Sequence, residues 1–205
     1  MHALWRFVFD NGHPVEVEIG PGTGTFLLGA AARVPHTNFF AIEHSHSRAA
    51  RLTAALEARG LHNARVLAGD AACVVTTLLP AETIAAYHIY FPDPWWKRRH
   101  HRRRLFTPAF AAALQQTLVP GGRIHVATDV ADVVTLALAA LGTCPQLTRD
   151  DAMPPPRPDI TVFERKGLAR GATIHEATFV KRRRADTGRL HASSAAPITP
   201  AESPS

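Results

Sequence analysis

The chain has 205 residues, 46% of them hydrophobic, and a formal charge of +6. That length suits one well-buried domain and is short for two. No apolar run approaches the roughly 20 residues needed to cross a bilayer, and no charged leader followed by an apolar core opens the sequence, so neither export nor membrane insertion is expected. Cys73 and Cys144 lie far apart, outside any C-x-x-C or Cys/His ligand spacing. This points to a reducing, cytoplasmic setting and against a structural metal. The basic balance favours a polyanionic partner without saying which.

Residues 1–14 read as a lead-in, with Leu4, Trp5, Phe7, Val8 and Phe9 as packing residues. Val15 to Ile19 alternates apolar residues with Glu16 and Glu18, which predicts a strand. Gly20-Pro21-Gly22-Thr23-Gly24 follows at once, and Thr25 to Ala32 is helix-like. Strand, glycine loop and helix make the first turn of a nucleotide-binding α/β unit. A dinucleotide fingerprint would need glycine where Thr25 stands, and a P-loop would need Gly-Lys-Ser/Thr. The pattern is instead Glu18-x-Gly20-x-Gly22-x-Gly24. A carboxylate facing the ligand suits a cation better than a pyrophosphate, and S-adenosylmethionine carries an ammonium and a sulfonium. The competing reading is an ordinary strand-to-helix turn.

Asn38 to Ile42 is a second strand ended by Glu43, 25 residues after Glu18. A carboxylate near that interval can accept from both ribose hydroxyls of an adenosine. Ser47 to Ala58 reads as a helix with Ser47 as N-cap, and His44 and His46 as surface residues. Ala64 to Ala68 is a third strand. Asp70 behind it could accept from an adenine amino group or cap the helix Ala71 to Leu79. Thr83 to Phe91 is a fourth strand, delivering Asp93 to the carboxyl edge of the sheet, where open α/β sheets bind ligands.

Asp93 stands between Pro92 and Pro94, and each proline biases the residue before it towards extended backbone, so a stiff loop is expected. Trp95 and Trp96 follow, then a run holding six of the 23 Lys and Arg between Lys97 and Arg104. Aromatic planes beside such a cluster can hold a base and its phosphates. The bland alternative is a solvated basic turn with core tryptophans.

Pro108 to Leu118 reads as a helix stopped by Pro120-Gly121-Gly122, and Arg123 to Ala127 as a fifth strand. Thr128-Asp129 ends it, with Asp129 a candidate N-cap for the helix Val130 to Leu141. Met153 to Pro158 reads as a crossing loop. Thr161 and Glu164 have capping-box spacing. Ala172 to Lys181 reads as a closing strand. Lys181 to Arg184 form a second basic cluster, and the Ala-, Ser-, Thr- and Pro-rich residues from Ala185 onward are expected to be a disordered tail.

Phe91-Pro92-Asp93-Pro94-Trp95-x-Lys97-x-x-His100-His101-x-Arg103-Arg104-Leu105 resembles the signature of the bacterial tRNA (guanine-N7-)-methyltransferase family, and the likeness runs over about positions 15 to 182. The resemblance implies a class I methyltransferase (Rossmann-like) α/β fold. That fold is a mostly parallel seven-stranded sheet with helices on both faces and an antiparallel last strand. It implies S-adenosylmethionine as cofactor, tRNA as partner, and methylation of guanine 46 in the variable loop. Within it, Asp93 is the expected catalytic residue. Glu18, Gly20, Gly22, Gly24, Glu43, Asp70 and Asp93 are the cofactor set. Lys97, Asp129, Thr161, Val162, Phe163 and Glu164 are the substrate set, and Arg99, His100, His101, Arg102, Arg103 and Arg104 are the RNA contacts. The expected organisation is one domain over 1–184 and a tail over 185–205, as a monomer or homodimer. Two features depart from the family. Val130, Val133 and Val134 stand where relatives carry aromatics, and only 14 residues precede the first strand, where relatives have a longer leader. If that leader closes the pocket, the expectation is weak or differently regulated activity, or a misread start codon. A noncatalytic tRNA-binding module would not need Glu18, Glu43 and the glycine loop together. A nicotinamide oxidoreductase would leave the basic run unexplained.

Overall fold

The computed structural model describes residues 2–94, 105–150, 152, 153, 156 and 161–183. Its seven strands are β1 (Val15–Ile19), β2 (Asn38–Glu43), β3 (Ala64–Ala68), β4 (Ile84–Tyr90), β5 (Leu118–Thr128), β6 (Leu147–Arg149) and β7 (His175–Lys181). They lie in the order β3-β2-β1-β4-β5-β7-β6. β3 to β5 pair in parallel, and β7 runs antiparallel to both of its neighbours. The expected mostly parallel sheet with a reversed last strand is what forms. Seven strands were expected, but the three-residue β6 was not located, because so short a segment has no periodicity to read.

Strand alternation divides the core into two layers. Val15, Val17, Ile19, Tyr87, Ile89, Ile124 and Val126 face one way. They meet α1 (Ala3–Phe9), α4 (Ala71–Thr77), α5 (Pro108–Thr117) and α6 (Ala131–Gly142) through side chains such as Trp5, Val74, Phe110 and Leu141. α2 (Thr25–Arg33) and α3 (His46–Ala58) cover β1 to β3 on the other face, through Phe26, Leu27, Ala30 and Leu56 against Phe39 and Ala41. α7 (Val162–Ala169) precedes β7.

Several local expectations change. The lead-in is helical: Trp5 and Phe9 are buried, with Trp5 edge-on to Phe40 at 5.4 Å, but Phe7 is 89% exposed. A seven-residue helix buries only one face, and Phe7 falls on the other. Ser45, not Ser47, caps α3 by accepting from the Arg48 amide. α5 ends at Thr117, and Pro120-Gly121-Gly122 forms an irregularity inside β5, where Ile84 pairs with Leu118 and Ala86 already with Arg123. Gly121 takes φ +84° there, open to glycine without strain. α6 starts at Ala131 behind Val130, with Thr128 Oγ1 accepting from the Val130 amide, so Asp129 is not its cap. Val133 packs in the core rather than lining a pocket.

Candidate cofactor and substrate site

Parallel strands bring the carboxyl ends of β1, β2, β3 and β4 to one edge, and each predicted site residue of these strands sits there. The glycine loop follows β1 directly. The Gly20 amide donates to Ile42 O at 2.9 Å, so the loop is stitched to the adjacent strand, and the Gly24 amide donates to Pro21 O at 2.8 Å. Gly24 caps α2 at φ +79°, and a Cβ there would collide with Leu52. The left-handed backbone is what favours glycine at this position, and a larger residue would also have to push the tip of Leu52 aside.

Two carboxylates are buried beneath the loop, and they differ in how they are held. Glu43, 2% exposed, accepts on Oε1 from the Ser45 amide (2.8 Å) and from Arg48 Nε (3.0 Å) and Nη2 (2.9 Å). On Oε2 it accepts from the Gly22 amide at 3.2 Å. One oxygen is thus saturated and the other carries a single long bond. Glu18, 5% exposed, leaves its Oε2 buried without a hydrogen-bond partner. Burial, with the Glu43 carboxylate beside it, pushes Glu18 up to about 8, against a smaller opposing effect of a backbone hydrogen bond at Leu27. An unpartnered buried carboxyl oxygen costs stability until a donor arrives. Each of the two carboxyls thus keeps one oxygen with little or no protein partner, Oε2 of Glu18 and Oε2 of Glu43.

Asp70 is exposed at the end of β3 and caps α4, accepting from the Cys73 amide at 2.8 Å. One of its oxygens is therefore committed to the helix. At the end of β4, Phe91 takes φ +50° although it precedes Pro92. That reverses the extended backbone expected before a proline; the Phe91 amide donating to Ala127 O at 2.7 Å holds the residue in place. Asp93 follows it, exposed to solvent. Trp95, Trp96, Lys97, Arg99, His100, His101, Arg102, Arg103 and Arg104 lie outside the described residues.

α7 supplies the other wall. Thr161 is its N-cap, accepting from the Glu164 amide at 3.1 Å, so the capping reading holds for that half of the box. Thr161 and Glu164 are buried, whereas Phe163 stays 50% exposed and reaches the glycine loop: a Cβ on Gly22 would lie 3.2 Å from its ring. At the far end of α7, Arg170 pairs with Asp129 at 3.1 Å, and Gly167 leaves room for the Asp129 side chain. The helix therefore touches both the loop after β1 and the acid after β5. Neither contact was readable from sequence, because both join segments far apart in the chain.

Sequence reading also missed a polar row across the second face of the sheet. Glu18, His88, His125 and Thr178 are successive register partners on β1, β4, β5 and β7. His88 Nε2 lies 2.7 Å from Glu16 Oε2 and its Nδ1 2.9 Å from Tyr90 Oη, which donates to Pro156 O at 3.2 Å. His125 stacks on His88 at 5.4 Å and shares a hydrogen bond with Thr178 Oγ1. Burial, with His88 and Arg123 nearby, holds His125 down at about 3. The available signal was a histidine with an apolar or aromatic residue on either side in each of two strands, Tyr87-His88-Ile89 and Ile124-His125-Val126.

The family model described as "Putative methyltransferase" matches residues 12–177. A tRNA (guanine-N(7)-)-methyltransferase of Treponema pallidum is 40% identical over 168 residues, covering 82% of this chain and 67% of its own length. One of Nitrosomonas eutropha is 37% identical over 177 residues, covering 85% and 79% respectively. Among solved structures, the 16S rRNA methyltransferase KamB superposes with a TM-score of 0.66 at 15% identity, over 89% of this chain and 94% of its own. With a seven-stranded sheet of the class I methyltransferase kind and these relatives across most of its length, the chain belongs to the tRNA (guanine-N7-)-methyltransferase family.

Proposed function

We propose that this chain transfers the methyl group of S-adenosylmethionine to N7 of a guanine in tRNA, and that the guanine is residue 46 of the variable loop. The carrying observation is the unpartnered Oε2 of Glu18 beneath the glycine loop, with Glu43 beside it. It fits a ligand that brings an ammonium to one carboxylate and ribose hydroxyls to the other. When bound, the cofactor supplies an activated methyl on a sulfonium. Gly20, Gly22 and Gly24 let the backbone approach it, and Asp70 has an oxygen left for the adenine edge.

Guanine N7 is a neutral lone pair, so no strong base is needed to create the nucleophile. The residues at the carboxyl edge have to hold N7 in line at near contact. Asp93 is assigned the stabilising role, since the guanine ring gains positive charge as it is methylated and a fixed carboxylate lowers that cost. Asp129, oriented by Arg170, and Thr161 to Glu164 are assigned to the substrate. Lys97 is assigned there too, and Arg99, His100, His101, Arg102, Arg103 and Arg104 to RNA phosphates. Residues 1–184 are read as one catalytic domain, with 185–205 outside it, working where tRNA is found, in the cytoplasm. Among the described residues no helix is long and apolar enough to cross a membrane.

The test is methyl transfer from labelled S-adenosylmethionine to a tRNA transcript, with 7-methylguanine mapped by chemical cleavage. Labelling at position 46 that vanishes when adenine replaces that guanine in the transcript supports the reading. Labelling at another guanine corrects the position alone, and no labelling of any tRNA removes the function. The noncatalytic alternative would bind tRNA without labelling it.

A further inference from the structure

The second basic cluster is not a continuous charged face, and its division points to a separate site. Lys181 is buried, its Nζ donating to Leu118 O at 2.8 Å and to Glu82 Oε1 at 3.3 Å, so it locks β7 to the start of β5. Arg182 donates to Pro145 O, tying the same strand to the turn before β6. Arg183 alone of these three is turned outward. Its side chain lies over Gly121, with Nε 3.2 Å from where a Cβ would sit, so the glycine bulge in β5 leaves it room.

Across that bulge stands Arg123, whose Nε is buried and has no hydrogen-bond partner. Neither arginine forms an ion pair with another described residue. Both open into a cleft of about 440 Å³ on the second face of the sheet, shared with Glu16, His88, Gly121 and His125. Among the described residues that line it, the one carboxylate, Glu16, is engaged with His88 at 2.7 Å. No described residue of the cleft therefore answers the fields of the two guanidinium groups. An orphaned guanidinium N–H in a partly dry site calls for a planar or tetrahedral oxyanion. Burial, with His88 and Arg123 nearby, keeps His125 uncharged at neutral pH, so it adds no positive charge to that of the two arginines.

We propose that Arg123 and Arg183, flanking the Pro120-Gly121-Gly122 bulge, form a phosphodiester-binding site that grips the tRNA away from the methyl-transfer edge. The position supports that occupant. The cleft opens by the amino-terminal half of β5, with Glu16 on β1 four residues before Gly20, so roughly 13 Å of strand separate it from the glycine loop. A helical arm of RNA is wide enough to span both. The proposal rests on tRNA being the substrate, and it adds a second anchoring point to that reading.

The experiment is tRNA binding by the full chain across a salt titration, for the unaltered protein, Arg183→Ala, and Arg123→Gln combined with Arg183→Ala. The control is Arg6→Ala with Arg51→Ala, which removes the same net charge from exposed positions on α1 and α3. The paired cleft variant should bind about 10-fold more weakly at physiological salt, and its log–log salt slope should flatten by about 1.4–1.8, the release of two counterions. Arg183→Ala alone should give about half of that change, which guards against a folding defect at Arg123. Turnover at saturating tRNA and cofactor affinity should be unchanged. An unaltered slope in both cleft variants, or an equal loss in the control pair, overturns the site while leaving tRNA methylation intact. Failure of the unaltered protein to bind tRNA overturns both. Inorganic phosphate should compete only at millimolar concentrations; competition at micromolar concentrations would assign the cleft to a free phosphate ligand instead.

Discussion

Glu18 offers the sharpest test, since its chemistry in the empty protein and in the complex must differ. With burial and Glu43 holding it at about 8, only about one tenth of the molecules carry the Glu18 carboxylate at pH 7. An ammonium needs the ionised form, so seating the cofactor should expel close to one proton. From about pH 5.5 to about pH 7.5 the affinity should rise about tenfold per pH unit. Calorimetry near neutral pH in two buffers of different ionisation enthalpy reads the proton count directly. Glu18→Gln keeps the shape and removes the titration: binding should be weaker above neutral pH, independent of pH, and accompanied by no proton release. The stability of the unliganded protein carries the same sign. A carboxyl whose folded value lies above its ordinary 4.5 favours the fold fully below about 4.5 and loses that contribution as pH rises through about 8. Relative to its difference at pH 4, Glu18→Gln should therefore gain stability over the unaltered protein above about pH 8, by at most about 5 kcal/mol. Cofactor binding without proton release at neutral pH, or the same release from Glu18→Gln, would refute the placement of the ammonium on Glu18.

Three further outcomes follow from the site. Glu43→Ala should weaken cofactor binding by about 1–3 kcal/mol by calorimetry, the cost of ribose hydroxyls without an ionised acceptor; unchanged affinity would displace the adenosine from this edge. Asp93→Asn should lower single-turnover methylation about 10²–10³-fold while leaving tRNA affinity nearly intact, and an equal loss of cofactor affinity would reassign Asp93 to binding. Replacing Arg102, Arg103 and Arg104 by Ala should flatten the salt slope of tRNA binding by up to about three counterions, with cofactor affinity preserved; an unaltered slope would make that run a solvated face.

Local pattern carried most of the fold. Val15, Val17 and Ile19 alternate with glutamates, so β1 was readable residue by residue, and capping α4 was one of the two roles open to Asp70. What escaped depended on distant partners. Arg48 reaches Glu43 because Ser45 starts α3 two residues earlier than the sequence suggested, which turns the first helical turn back over the strand end. Asp129 was free to cap in the sequence, but Arg170 and the small Gly167 draw it onto another helix. Phe91 is left-handed against the proline rule because β5 offers it a carbonyl at the right height. A histidine in a strand reads as an ordinary surface residue until its register neighbours are known. His88 and His125 became a buried stack only through three strand pairings, the last made by the final strand of the sheet.

α7 is short, and the two things it touches lie at opposite ends of one rigid body. Phe163 rests on Gly22, and one helix length away Arg170 clasps Asp129. The glycine loop and the Asp129 carboxylate are therefore both held against the same short helix. On the proposed reading, with the cofactor at the loop after β1 and the guanine at the acid after β5, this one short helix would join the two halves of the site.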